Sequence, residues 1–385
     1  MSKLSYLEKL LDGVEVEWLP LGNVTKYEQP TKYLVKAKDY HDTFSIPVLT
    51  AGKTFILGYT DETHGIYEAS KTPVIIFDDF TTASKWVDFD FKAKSSAMKM
   101  ITSSDDIRFS LKYVYYWLNT LPSELVDGDH KRQWISNYAQ KKVPVPCPAN
   151  PEKSLAIQAE IVRILDKFTE LTAELTAELT MRKKQYNYYR DQLLCFDEAE
   201  VEWKTLGDLG ENLDSKRKPI TSGLREAGSI PYYGASGIVD YVKDYIFDGD
   251  FLLISEDGAN LLARNTPIAF SISGKSWVNN HAHVIKFDSY AERRYVEYYL
   301  NSIDLSPYIS GAAQPKLNKK NLESIRIPNP SPEDKERIVS ILDKFDALTN
   351  SINEGLPREI ELRQKQYEHY RDLLFSFPKP EAASN

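Results

Sequence analysis

Apolar residues along the chain follow two different periods, and the change from one to the other divides it. From residue 16 to about 148 they fall in short alternating or β-rich runs, such as Val74-Ile75-Ile76-Phe77 and Ala97-Met98-Lys99-Met100-Ile101, broken at Gly and Asp turns, which predicts strands. One helix is expected among them, around residues 107 to 120. Pro144, Pro146, Pro148 and Pro151 then forbid a helix through that passage. Pro151-Glu152 opens one, because the N–H that proline lacks would be unpaired in a helix's first turn anyway. Beyond it the period is about 3.5: Ile157, Ile161, Ile164, Phe168, Leu171 and Leu175 form a coiled-coil seam, continued by Leu179, Tyr186 and Leu193 after a slip in register.

The whole pattern then occurs again. Val16-Glu17-Trp18 with Leu21-Gly22 returns as Val201-Glu202-Trp203 with Leu206-Gly207, and Ser45-Ile46-Pro47 returns as Ser229-Ile230-Pro231. Tyr113-Val114 with Tyr116 and Asn119 returns as Tyr295-Val296 with Tyr298 and Asn301. Ile164-Leu165-Asp166-Lys167-Phe168 matches Ile341-Leu342-Asp343-Lys344-Phe345, and Tyr189-Arg190-Asp191 matches Tyr370-Arg371-Asp372. Order is kept throughout, so each half is a mixed domain followed by a long helical segment. The linear plan is a first mixed domain over 1–148, a helix over 149–198, a second mixed domain over 199–330, a second helical segment over 331–377 and a tail over 378–385.

A helix of more than forty residues with a bare apolar stripe needs a partner of similar length, and the second copy supplies it. Antiparallel pairing of the two copies gives the halves an approximate two-fold axis. Gly355-Leu356-Pro357 lies in the second segment only and predicts a kink or break there. Within the first segment Thr172-Ala173-Glu174-Leu175 is followed at once by Thr176-Ala177-Glu178-Leu179. Four residues make one helical turn of roughly 6 Å, so such a unit lengthens the helix while returning Leu to nearly the same face, the property of a spacer. Thr172, Leu175, Thr176 and Leu179 mark it.

Composition narrows the class. The 385 residues carry 48 Lys+Arg against 56 Asp+Glu, a net charge of −8, with 42% hydrophobic residues. That excludes a disordered chain and suits several ordinary cores. Cys147 and Cys195 fit no disulfide framework or metal spacing, and no long apolar run, signal peptide or lipid signal is present, which points to a cytoplasmic protein without membrane attachment. Basic residues beside amides and aromatics form candidate DNA contacts: Lys131, Arg132, Gln133, Trp134, Asn137, Lys141 and Lys142 in the first half; Lys216, Arg217, Lys218, Gln314, Lys316, Lys319 and Lys320 in the second. Lys141-Lys142 and Lys319-Lys320 each stand shortly before a proline-marked boundary and are read as matching pairs. Solvated basic surface is the plainer alternative for each cluster. His281 and His283 would share a strand face, with a DNA-facing or hydrogen-bonded role favoured over metal because no Cys or convincing carboxylate accompanies them. The tyrosines around Tyr113 and Tyr295 lie at helical spacing and read as core. No glycine-rich cofactor fingerprint, amino-methyltransferase motif or helicase motif is present, so no catalytic residue and no metal ligand is assigned.

The paired Val-Glu-Trp openings, the Ile-Pro segments at 46–47 and 230–231, Ile325-Arg326-Ile327-Pro328 after Gln314, the two Tyr-Arg-Asp helix ends and the Thr-Ala-Glu-Leu pair together resemble the specificity subunit (HsdS) of type I restriction-modification systems, especially the subclass called type IC. The resemblance covers essentially the whole chain. It implies an α+β, internally duplicated fold: two target recognition domains separated by a pair of long antiparallel coiled-coil helices with pseudo-two-fold symmetry. It further implies a non-catalytic chain that reads a bipartite sequence in double-stranded DNA and positions two modification (HsdM) subunits, which methylate adenine N6 with S-adenosylmethionine. Restriction (HsdR) subunits would join the full complex, with ATP and Mg on the partners and no cofactor here. A two-headed DNA-binding regulator or decoy, acting without methyltransferase partners, is the alternative.

Overall fold

The computed structural model describes residues 6–36, 40–50, 52, 54–122, 132–311, 314–351 and 353–378. Its contacts gather into two compact units, Met1–Glu174 with Ile360–Asn385, and Leu175–Glu359. These do not follow the linear plan. Each unit holds one mixed domain, but the two long helical segments are divided between the units, because each mixed domain is covered by helix from both copies.

In the first unit, β1 (Val16–Pro20) is an outer strand whose partner, β9 (Lys142–Pro146), comes from the far end of the domain. Between them, β2 (Thr25–Glu28), β8 (Met98–Ser103), β5 (Val74–Asp78) and β6 (Ser84–Val87) form a four-stranded sheet in that order. A three-stranded sheet follows the order β4 (Ile56–Thr60), β3 (Ile46–Leu49), β7 (Lys92–Ala93). The continuous apolar run of β5 is buried at every position from Val74 to Phe77, as expected of a central strand. The helix begins at Leu111 rather than near residue 107, because Ser110 caps it by accepting from the Tyr113 N–H.

The second unit repeats the frame with a larger sheet. β10 (Glu202–Thr205) pairs with β17 (Arg326–Asn329), as β1 does with β9. Six strands lie in the order β11 (Glu211–Asn212), β16 (Ala282–Lys286), β14 (Phe247–Ser255), β15 (Ala269–Val278), β12 (Ala227–Gly234), β13 (Gly237–Val242). The Ser-Ile-Pro segments lead the same local topology: β3 pairs antiparallel with β4 and parallel with β7, and β12 pairs antiparallel with β13 and parallel with β15. The tyrosines read as core are core. Tyr113 and Tyr295 are 1% and 0% exposed, and each donates its hydroxyl to a proline carbonyl of the returning strand, Pro144 at 2.7 Å and Pro328 at 3.0 Å.

The first stem helix runs unbroken from Pro151 to Leu194. Ile157 and Ile161 of its seam are buried among the first unit's aromatics, and Leu165, outside the expected 3.5-residue spacing, is buried with them. The second segment is two helices, Pro332–Thr349 and Gly355–Leu374. Seam pairing is reciprocal between the copies. Phe168 stacks on Tyr370 in the first unit, with centroids 5.3 Å apart, and Tyr189 stacks on Phe345 in the second at 5.7 Å. Phe168 and Phe345 are repeat equivalents, as are Tyr189 and Tyr370, so residue i of one copy meets j of the other and j meets i.

The break falls where the Gly-Leu-Pro insertion predicts it. Gly355 takes φ of +73°, and a Cβ there would lie 2.3 Å from the Ala347 carbonyl oxygen and 2.7 Å from that of Leu348. Pro357 is tolerated because it occupies the first turn of the new helix. Gly355→Ala is expected to cost about 1–3 kcal/mol in chemical denaturation. Gly13→Ala, also at positive φ but with open space around its Cβ, should cost less. Equal losses would remove the steric argument.

Candidate nucleic-acid interface

In the second unit, the turn of Asp214–Lys216, the end of β14, the start of β16 and residues 314–318 converge on one ionic cluster. Arg217 reaches Glu256 at 2.6 Å and Asp214 at 3.3 Å, and Lys316 reaches Glu256 from the opposite side at 3.1 Å. His283 is 0% exposed, its Nδ1 2.6 Å from Asp214 and its Nε2 2.7 Å from the Leu317 carbonyl. Both ring nitrogens therefore face acceptors. Burial by itself would raise both carboxyls, but the bonds from His283 to Asp214, and from Arg217 and Lys316 to Glu256, hold them below their ordinary values. Asp214, Glu256 and His283 stand close enough together to hold a metal ion. Arg217 and Lys316 already pair with the two acids, and both imidazole nitrogens are spent.

The cluster corrects several expectations. Arg217 is largely buried and His283 wholly so; they organise the interior, and of the two roles expected of His283 the hydrogen-bonded one holds, with the carboxylates of Asp214 and Glu256 beside it where none was expected. His281 does not share their environment, because β16 begins only at Ala282; it is half exposed and paired with Asp257 at 2.9 Å. What the cluster does is fix a surface. Leu317 is fully buried and donates its N–H to the Glu256 carbonyl at 2.7 Å, while Gly258 donates to the Pro315 carbonyl. On either side of that anchor Gln314, Lys316, Lys319 and Lys320 are exposed, and Lys216 and Lys218 are exposed on the Arg217 turn. Lys319 lies 3.6 Å from Glu323, and Asn318 caps their short helix by accepting from the Asn321 N–H.

The first unit scatters its candidates. Lys131 lies outside the described residues. Trp134 is 1% exposed against Phe77, and Gln133 is buried too, so neither presents a side chain outward; both are corrected from surface to core. Their N–H groups donate to Asp79, whose carboxylate forms a fully buried ion pair with Lys99 at 3.1 Å. Sequence reasoning missed that pair, since Lys99 sits in an apolar run that reads only as strand. Arg132 and Lys142 are exposed, Asn137 is half-buried, and Lys141 lies over the Tyr138 ring at 5.4 Å. The lysine pairs are not structural equivalents. Lys141 accepts from the Leu21 N–H just as Ile325 accepts from that of Leu206, which makes Arg326 the counterpart of Lys142. Along the spacer, Thr172, Leu175 and Leu179 are half-buried and Thr176 is exposed, its carbonyl accepting from Thr180.

Thermal unfolding from pH 7 downward tests the cluster. Depressed carboxyl values contribute stability at pH above the ordinary carboxylate range of about 4, lost as pH falls through the folded values. Arg217→Met should destabilise the chain by roughly 3–5 kcal/mol at neutral pH, because it strands buried acids. The penalty should shrink in acid as those acids protonate. A penalty independent of pH would contradict the charge assignment.

A family model described as the type I restriction modification DNA specificity domain matches residues 198–362. The chain is 62% identical to the EcoR124I/EcoR124II specificity subunit of Escherichia coli, a type IC enzyme, over 100% of both chains. It is 37% identical to the EcoprrI specificity subunit of the same species over 92% of this chain and 93% of that one. The fold is similar to the type I S subunit of M. genitalium, with a TM-score of 0.63 at 15% identity over 98% of this chain and 99% of that one. Among the described residues no helix is long and apolar enough to cross a membrane. With its duplicated frame, reciprocal helices and full-length identity to named relatives, the chain belongs to the specificity subunits of type I restriction-modification systems, the non-catalytic DNA-recognising members of those enzymes.

Proposed function

We propose that this chain reads a two-part sequence in double-stranded DNA, one part with each mixed domain, and that the stem helices set the unread gap between the parts. The observation that carries the reading is the reciprocal stacking of Phe168 on Tyr370 and of Tyr189 on Phe345, which pairs helix from both copies within each unit. Two unlike domains on a repeated frame suit two unlike half-sites, since a pseudo-symmetric reader faces successive major-groove exposures of one duplex. Phosphate contacts would come from the exposed lysines at 216, 218, 316, 319 and 320 and from Arg132 and Lys142, with Gln314 at a base edge. The frame's duplication offers two equivalent docking sites for modification subunits, which would supply S-adenosylmethionine-dependent methylation of adenine N6. Restriction subunits, ATP and Mg would join in the full, cytoplasmic complex.

Mapping methylated sites after co-expression with the modification subunit reports both half-sites and their gap together. Deleting Thr176-Ala177-Glu178-Leu179 shortens the helix by roughly 6 Å and should change the preferred gap by on the order of one to two base pairs, with both half-sites retained. Unchanged spacing in a folded variant would defeat the spacer role. Replacing Lys319 and Lys320 with alanine should lower the slope of log affinity against log salt by about 1 for each phosphate no longer neutralised. If no complex with modification subunits forms while the chain alone binds one site specifically, a free-standing regulator or decoy is the better reading.

A further inference from the structure

Each mixed domain is fastened to stem helix at two points, and the two sets of fastenings are repeat equivalents. At the first point Gln158 of the stem is 1% exposed; it accepts from the Ser110 N–H at 2.8 Å and donates to the Arg108 carbonyl at 3.0 Å. Its counterpart Lys335 is 5% exposed and donates to Glu292 at 2.8 Å. At the second point Tyr116 donates to Asp166 at 2.5 Å, and Tyr298 donates to Asp343 at 2.6 Å. Lys112 joins Asp166 at 2.9 Å, and the equivalent Arg294 joins Asp343 at 2.9 Å. The first fastening exchanged Gln for Lys between copies. The second kept its Tyr–Asp chemistry although the sheets around it diverged from four and three strands to six.

Two fastenings eight residues apart on a helix stand roughly 12 Å apart along its axis. One contact would leave a domain free to pivot; two fix its rotation. We infer that Tyr116 with Asp166, and Tyr298 with Asp343, are positioning residues that set the angle of each recognition domain on its stem and thereby make the subunit discriminate between targets differing only in gap length. Burial, then the bond to Asp166, drives the Tyr116 hydroxyl far above its ordinary range. Burial does the same for Tyr298 against the opposing charge of Arg294, which favours both phenols as neutral donors. The second fastening is the more heavily charged, because Arg294 also holds Glu297 at 2.6 Å and Asp346 at 3.2 Å.

This inference rests on the two-part reading, and the experiment separates them. The complex with modification subunits is assayed for methylation and binding on duplexes carrying both mapped half-sites with the native gap, one base pair fewer and one more. Tyr116→Phe and Tyr298→Phe should each reduce the preference for the native gap roughly tenfold by losing a charge-assisted bond, with little change in methylation of the native target. Asp166→Asn, which keeps an acceptor for the phenol but gives up the charge and the Lys112 ion pair, should reduce the preference in the same direction. If a Phe variant does not fold by thermal melting, Lys112→Met strips the Asp166 carboxylate of its cation and should give a smaller loss in the same direction. An unchanged preference in folded variants, or equal losses at all three gaps, overturns the positioning role. A wild-type complex indifferent to gap length overturns the two-part reading itself.

Discussion

The fold depends on an apolar seam that neither half of the chain can bury alone. Ile157, Ile161 and Leu165 are covered in the first unit together with Leu374, Phe375 and Phe377, which lie near the other end of the sequence. Leu194 is buried in the second unit beside Ile338, Val339 and Leu342. Removing such surface from water is worth roughly 1.5–3 kcal/mol for each large side chain. A few of these residues therefore amount to a sizeable part of a domain's net stability. This is why the compact units ignore the linear boundaries: burial, not chain order, decides what belongs together.

Around that seam the two copies have kept their likeness unevenly, and the unevenness is informative. Backbone-anchoring contacts persist in both copies: the tyrosine hydroxyls on Pro144 and Pro328, and the Leu21 and Leu206 N–H bonds to the returning strands. Sheets and loops do not persist. The first domain buries a Lys99–Asp79 pair, while the second gathers Asp214, Glu256, His283 and Arg217 beneath its exposed lysines. A fixed frame with divergent inserts lets the loops and sheet of one domain change without disturbing how either domain is carried.

The frame was legible in the sequence because it rests on periodicity and on repeated local motifs. The stem seam, the proline entry, the glycine break and the tyrosine core all follow from spacing and from the stereochemistry of two residue types. Leu165 escaped because a straight helix drifts from a strict heptad, so residues flanking the seam turn inward as well. The candidate site was much less legible. Side-chain type cannot tell an exposed lysine from Arg217 or Lys99, since that depends on acids brought from distant segments. His281 falls one residue outside the strand that holds His283, and Trp134 and Gln133 end a basic run that continues into the core.

The closing partners of the first domain have a temporal consequence. Trp18 donates its indole N–H to the Pro378 carbonyl at 2.9 Å, and Phe375 and Phe377 are buried beside Tyr113 and its neighbours. During translation the first domain therefore waits for residues 374–378, made only after the whole second domain, before its interior is sealed. Until then it holds an uncovered aromatic surface, and a ribosome that stalls within the second domain leaves the first one open to aggregation.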